Sequence, residues 1–93
     1  MIGSVTSGYS ASSGTCWKRA DEDLVLLNLA QGKYLVLSGA GVRMWELLCR
    51  QKSLEEICSA ILDEFETTKP VVSKDLKSFI SELHSEGWIV AEP

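Results

Sequence analysis

From Leu24 onward the apolar positions change their period twice. Leu24-Val-Leu-Leu-Asn-Leu29 and Lys33-Tyr-Leu-Val-Leu37 alternate at the two-residue spacing of strands, with Ala30-Gln-Gly32 between them as a tight return. Thr15-Cys-Trp-Lys-Arg-Ala20 alternates more weakly, and Asp21-Glu-Asp23 supplies a turn into the next strand. The three segments together predict an antiparallel meander, with Trp17 the residue of its first strand expected to be buried.

The period then lengthens. Ser38-Gly-Ala-Gly41 breaks the alternation, Ser38 being the candidate cap, and Val42, Trp45, Leu48 and Cys49 recur at the spacing of one helical face. Arg50-Gln-Lys52 places positive charge at the end of that helix, where the dipole favours it. Ser53 and Glu56 have the spacing of a capping box ahead of Leu54, Ile57, Cys58, Ile61, Leu62 and Phe65. Pro70 suits the first turn of a third helix, because its missing donor would be unpaired there in any case, and Val72, Leu76, Phe79, Ile80 and Leu83 form the stripe. Gly87 ends it and Trp88-Ile-Val90 returns as a short extended segment. The expected class is α+β and winged-helix-like, a three-stranded antiparallel sheet followed by three helices. Residues 15–93 make the domain, and the Gly/Ser-rich residues 1–14 are expected to be a flexible tail.

Nine Lys plus Arg against thirteen Asp plus Glu give a net charge of −4, which repels phosphate backbones. A winged-helix DNA-binding regulator is the alternative of a different class, but the helix that would read the groove, residues 73–87, carries two lysines against three acids. Three cysteines without Cys-x-x-Cys spacing speak against metal or disulfide use, and Cys49 and Cys58 lie on or beside apolar faces as small hydrophobes. His84 is the single histidine, where a metal site needs three or four ligands, and no serine has a histidine base near it in sequence. No enzyme activity and no cofactor are therefore expected. With no signal peptide and no apolar run of about 18 residues, a cytoplasmic protein without membrane contact is expected.

Gly32-Lys-Tyr34, Leu37, Gly41-Val-Arg-Met-Trp-Glu-Leu-Leu48, Ser53-Leu-Glu-Glu-Ile57, Asp75, Phe79, Leu83 and Gly87-Trp-Ile89 together resemble the PqqD-like family, the RiPP recognition elements. The resemblance spans about residues 24–90 and implies a domain that binds the leader segment of a ribosomally made precursor peptide and presents it to a separate enzyme. Free-standing domains of this length resemble the leader-binding B proteins of lasso-peptide biosynthesis, whose implied partner is a leader-cleaving cysteine protease followed by an ATP-dependent cyclase. The alternative within the family is a PqqD-type peptide chaperone for a radical SAM enzyme.

In the family the leader lies between the third strand and the third helix, which by residue match means Lys33, Tyr34, Leu35, Val36 and Leu37 on one side and Val72, Asp75, Leu76, Phe79 and Leu83 on the other. The pattern itself supports the strand. It is last in the meander, apolar and poor in the charges that normally blunt a free edge, so it invites pairing by an added strand. On the helix, a rotation of about 100° per residue puts Phe79 and Val72 to one side of Leu76, with Asp75 and Glu82 beyond them and Ile80 opposite. Asp75 and Phe79 thus mark a groove edge while the centre of the stripe is core.

Overall fold

Leu24, Leu26 and Asn28 point to one face of their strand and are 2%, 0% and 4% exposed, whereas Val25 and Leu27 on the other face are only half-buried. This alternation organises the computed structural model, which describes residues 7–92. The elements run β1 (Tyr9–Ala11), β2 (Thr15–Ala20), β3 (Asp23–Asn28), β4 (Lys33–Leu37), α1 (Ala40–Cys49), α2 (Leu54–Glu64), α3 (Lys69–Ser85) and β5 (Ile89–Ala91). Strands β2, β3 and β4 form an antiparallel sheet in that order, with β3 central. Register sets Trp17 opposite Leu26 and Leu26 opposite Leu35, so these three share the inner face, while Tyr34 and Val36 share the outer one with Leu27 and Val25. The α+β class, the meander and the three helices agree with the pattern of the chain.

Trp45 and Leu48 of α1 and Ile57 of α2 are 0% exposed. They pack in one cluster with Ile61, Val72, Leu76, Ile80, Leu83, Trp88 and the inner face of the sheet. Each such side chain contributes about 1.5–3 kcal/mol by leaving water. Trp17 departs from the expectation: it is on the inner face and meets Trp45 edge-on, centroids 5.3 Å apart, yet it stays 42% exposed because β2 is an edge strand. Above it, Arg19 reaches Glu46 at 3.3 Å, and Arg43 donates through Nε to both oxygens of Glu64 at 2.9 and 3.1 Å. These exposed pairs orient β2, α1 and α2 and add little to stability, about 0–1 kcal/mol each.

The first fourteen residues are not all tail. Tyr9–Ala11 pairs antiparallel with Ile89–Ala91, Ser12 Oγ donates to the Gly87 carbonyl at 2.6 Å, and the Glu92 amide donates to the Gly8 carbonyl at 2.8 Å. The expected tail is thus corrected for residues 7–14, and residues 1–6 lie outside the described residues.

The helix ends follow local chemistry. Ser53 and Glu56 close a reciprocal capping box, and the Ser53 N–H holds the Glu56 carboxyl below its ordinary pKa. At α1 the expected Ser38 cap is replaced by Gly39, whose neighbour's carbonyl accepts from the Gly41 amide. Both α1 and α3 end in Schellman turns: Lys52 N–H bonds Leu47 O and Gln51 N–H bonds Leu48 O, as Trp88 and Gly87 do to Leu83 and His84. The third helix places a glycine at the left-handed position, φ 84°, but the first places Gln51 there at φ 61°. Gln51→Gly is therefore expected to stabilise the domain by about 0.5–1 kcal/mol. A urea midpoint that stays put or falls would show that the extra freedom of the unfolded chain cancels the relief.

Candidate peptide-binding site

Strand β4 has β3 on one side and, among the described residues, no strand on the other. The N-terminal strand that could have covered this edge pairs with β5 instead. Strand β4 is tied to α3 directly at one end and through the start of α1 at the other. At one end the Lys33 ammonium donates to the Glu86 carbonyl in the last turn of α3 and sits over the Trp88 ring, 4.7 Å from its centroid. At the other, Phe79 of α3 stands against Gly41 at the start of α1, where a β-carbon would lie 3.6 Å from the Phe79 ring. Between these ends the backbones of β4 and α3 approach closely at few points, which leaves the strand edge and the helix flank as the two candidate walls of a cleft.

Eight of the ten expected site residues fall into three groups, and Lys33 and Leu76 stand apart. Tyr34 at 71% exposure and Val36 at 48% stand on the outer face beside the open edge, and Asp75 is exposed on the flank of α3. Leu35 and Phe79 are half-buried, with part of each side chain open to a ligand. Leu37, Val72 and Leu83 are 8%, 2% and 3% exposed, so their side chains belong to the core behind the cleft, although the Leu37 backbone remains on the edge strand. Lys33 is half-buried and its charge is committed to the end of α3, which makes it a fixture of the cleft rather than a free contact. Leu76, 5% exposed, lines a separate cavity between α2 and α3, away from β4.

This arrangement suits an extended peptide. The edge of β4 supplies unpaired backbone donors and acceptors, and Leu35 with Phe79 supplies apolar surface next to them. Asp75 gives a carboxylate that can accept a charge-assisted hydrogen bond. Sequence reasoning missed the two tethers of Lys33 and the α2–α3 cavity; Lys33 is separated from Trp88 by most of the chain, and no local pattern reports their contact.

Burial pushes the Cys49 thiol up to about 11, which leaves it protonated and inert near neutrality. Among the described residues no group of three or more His, Cys, Asp and Glu side chains could hold a metal ion, and no helix is long and apolar enough to cross a membrane.

Comparisons with known proteins address the same region. The structure of TbiB1 in complex with the TbiA(beta) leader peptide matches with a TM-score of 0.80 and 34% identity, covering 86% of this chain and 93% of that one. A lasso peptide synthetase B1 complexed with the leader peptide has the same fold, with a TM-score of 0.84 at 17% identity over 89% of this chain and 98% of that one. No curated protein matches the chain. The family model described as coenzyme PQQ synthesis protein D matches residues 23–89, from the first residue of β3 to the first of β5 and so across both walls of the cleft: the chain belongs to the PqqD family.

Proposed function

We propose that this protein binds the leader segment of a ribosomally synthesised precursor peptide as an added strand on β4 and presents the rest of the precursor to a separate enzyme. The observation that carries this reading is the open, apolar β4 edge, in a chain 34% identical to a protein solved with its leader peptide. The protein itself is an adaptor and not an enzyme, acting in the cytoplasm. Its partner is the leader-cleaving cysteine protease of a lasso-peptide system, since both solved relatives are B1-type proteins with leader peptides. Delivery to a radical SAM enzyme is the second reading, and the PqqD family match is what favours it.

The test uses the TbiA(beta) leader peptide, the ligand of the 34%-identical relative, as the probe. Phe79→Ala removes half-buried apolar area from the helix wall and should weaken leader binding by about 1–2 kcal/mol, roughly five- to thirty-fold. Asp75→Asn keeps the shape and should weaken it less, through loss of the charge-assisted bond. Calorimetric titration decides: wild-type affinity in both variants, with unchanged melting temperatures, would remove α3 from the site. Precursor cleavage by the protease should rise on addition of the wild-type protein. A response from a radical SAM enzyme alone would shift the partner.

A further inference from the structure

The third helix has a second open side. Opposite the cleft, α2 and α3 diverge around a cavity of about 790 Å³ whose apolar walls include Leu54, Cys58 and Leu62 from α2 and Leu76 and Ile80 from α3. Leu54 is 39% exposed although it begins the buried stripe of α2, so this apolar surface opens to solvent. The α3 rim carries Lys69, Lys77 and His84, and the α2 rim carries Glu55. Among the described residues neither lysine is in an ion pair, whereas Arg19 and Arg43 are both engaged by carboxylates. An acidic protein of net charge −4 thus presents two uncommitted ammonium groups beside one of its apolar openings.

The walls dictate the form of an occupant. Both long walls are helices with satisfied backbones and Tyr9 of β1 closes one end beside His84, so an extended segment laid along them would find few main-chain partners, whereas a helix brings its own hydrogen bonds with it. From Lys69 to His84 the rim runs fifteen residues along α3, about 22 Å, which matches roughly four turns of a docked helix. Lysine on the α3 side selects carboxylates on the facing flank of that helix.

We propose that the α2–α3 groove docks an amphipathic helix of the partner protease, apolar on one face and acidic on the flank toward Lys69 and Lys77. This rests on the proposed function for the identity of the partner, but it uses a different surface. The leader cleft holds Phe79 and Asp75 on one side of α3, and the groove holds Leu76, Lys77 and Ile80 on another. One helix thereby separates substrate from enzyme, and both bind at once.

The experiment measures, by biolayer interferometry, binding of the purified protease to the protein saturated with leader. The charge-reversal pair Lys69→Glu and Lys77→Glu should weaken protease binding by about ten-fold or more at low salt, with the gap narrowing as salt rises. Lys69 opens α3, where a carboxylate suits the dipole, so the fold should persist. Lys18→Glu with Lys74→Glu makes the same change in net charge on exposed residues outside the groove and should stay within about two-fold of wild type. Leu54→Asp should weaken protease binding at every salt concentration, and leader affinity should be unaltered in all variants. Equal losses in the groove and control pairs, unaffected binding in the groove pair and in Leu54→Asp, or no protease binding by the leader-loaded wild type would each overturn the groove assignment. Loss of leader binding by the wild type would instead overturn the proposed function.

Discussion

Trp45→Ala should destabilise the domain by about 3–5 kcal/mol, a large share of a total stability of about 5–15 kcal/mol. The indole is 0% exposed in the middle of α1, in the cluster where the helices and the inner sheet face converge, so its removal leaves a large cavity. Trp17→Ala is the matched comparison: it removes the same side chain from the other half of the edge-on pair, but from a site already 42% exposed, and should cost well under half as much. Trp45→Phe should be milder than its size suggests. The indole N–H has no hydrogen-bond partner among the described residues, so deleting it relieves an unsatisfied buried donor while most of the ring volume remains. Urea unfolding of the three variants measures the order, and a Trp17→Ala loss as large as that of Trp45→Ala would mean that the core is centred on the sheet edge.

Proline in β4 should produce the largest loss of leader binding. Along an edge strand successive residues direct their backbone groups alternately to the paired neighbour and to the open side. Of Leu35→Pro and Val36→Pro, one therefore removes a ladder bond to β3 and the other removes a donor that only a ligand would use. The variant that keeps its circular dichroism spectrum should lose about 1–3 kcal/mol of leader affinity, roughly five- to 150-fold. Wild-type affinity in that folded variant would exclude strand addition at this edge, whatever the helix variants had done.

Much of the scaffold was legible because each element was stated locally. Alternation in residues 24–29 and 33–37, the Ser53–Glu56 box and Gly87 each act within a few residues, and each appears at its expected place. The first strand was not legible: Tyr9-Ser-Ala11 has little apolar content, and its pairing depends on backbone bonds to residues at the far end of the chain. Trp17 was given its correct face but not its exposure, since period reports direction and not whether a strand lies at an edge. The same limit governs the site. Spacing put Phe79 and Asp75 on one edge of the α3 stripe and its centre in the core, while the resemblance carried Val72, Leu76 and Leu83 into the site; all three are buried, Leu76 toward α2. The groove had no signal in the pattern, because Leu76 and Ile80 read simply as stripe residues, and the small side chains of Ser73 and Ser81 border the opening beside them.

The pairing of Tyr9–Ala11 with Ile89–Ala91 has a topological consequence. Because Gly8 and Glu92 are hydrogen-bonded to each other, the polypeptide enters and leaves the domain at a single point. A short linker across that point closes the chain at small entropic cost, and the whole unit can be spliced into a surface loop of a larger protein without moving the host's flanking segments apart. The architecture is that of a cassette, with both ends of the described chain held at one place.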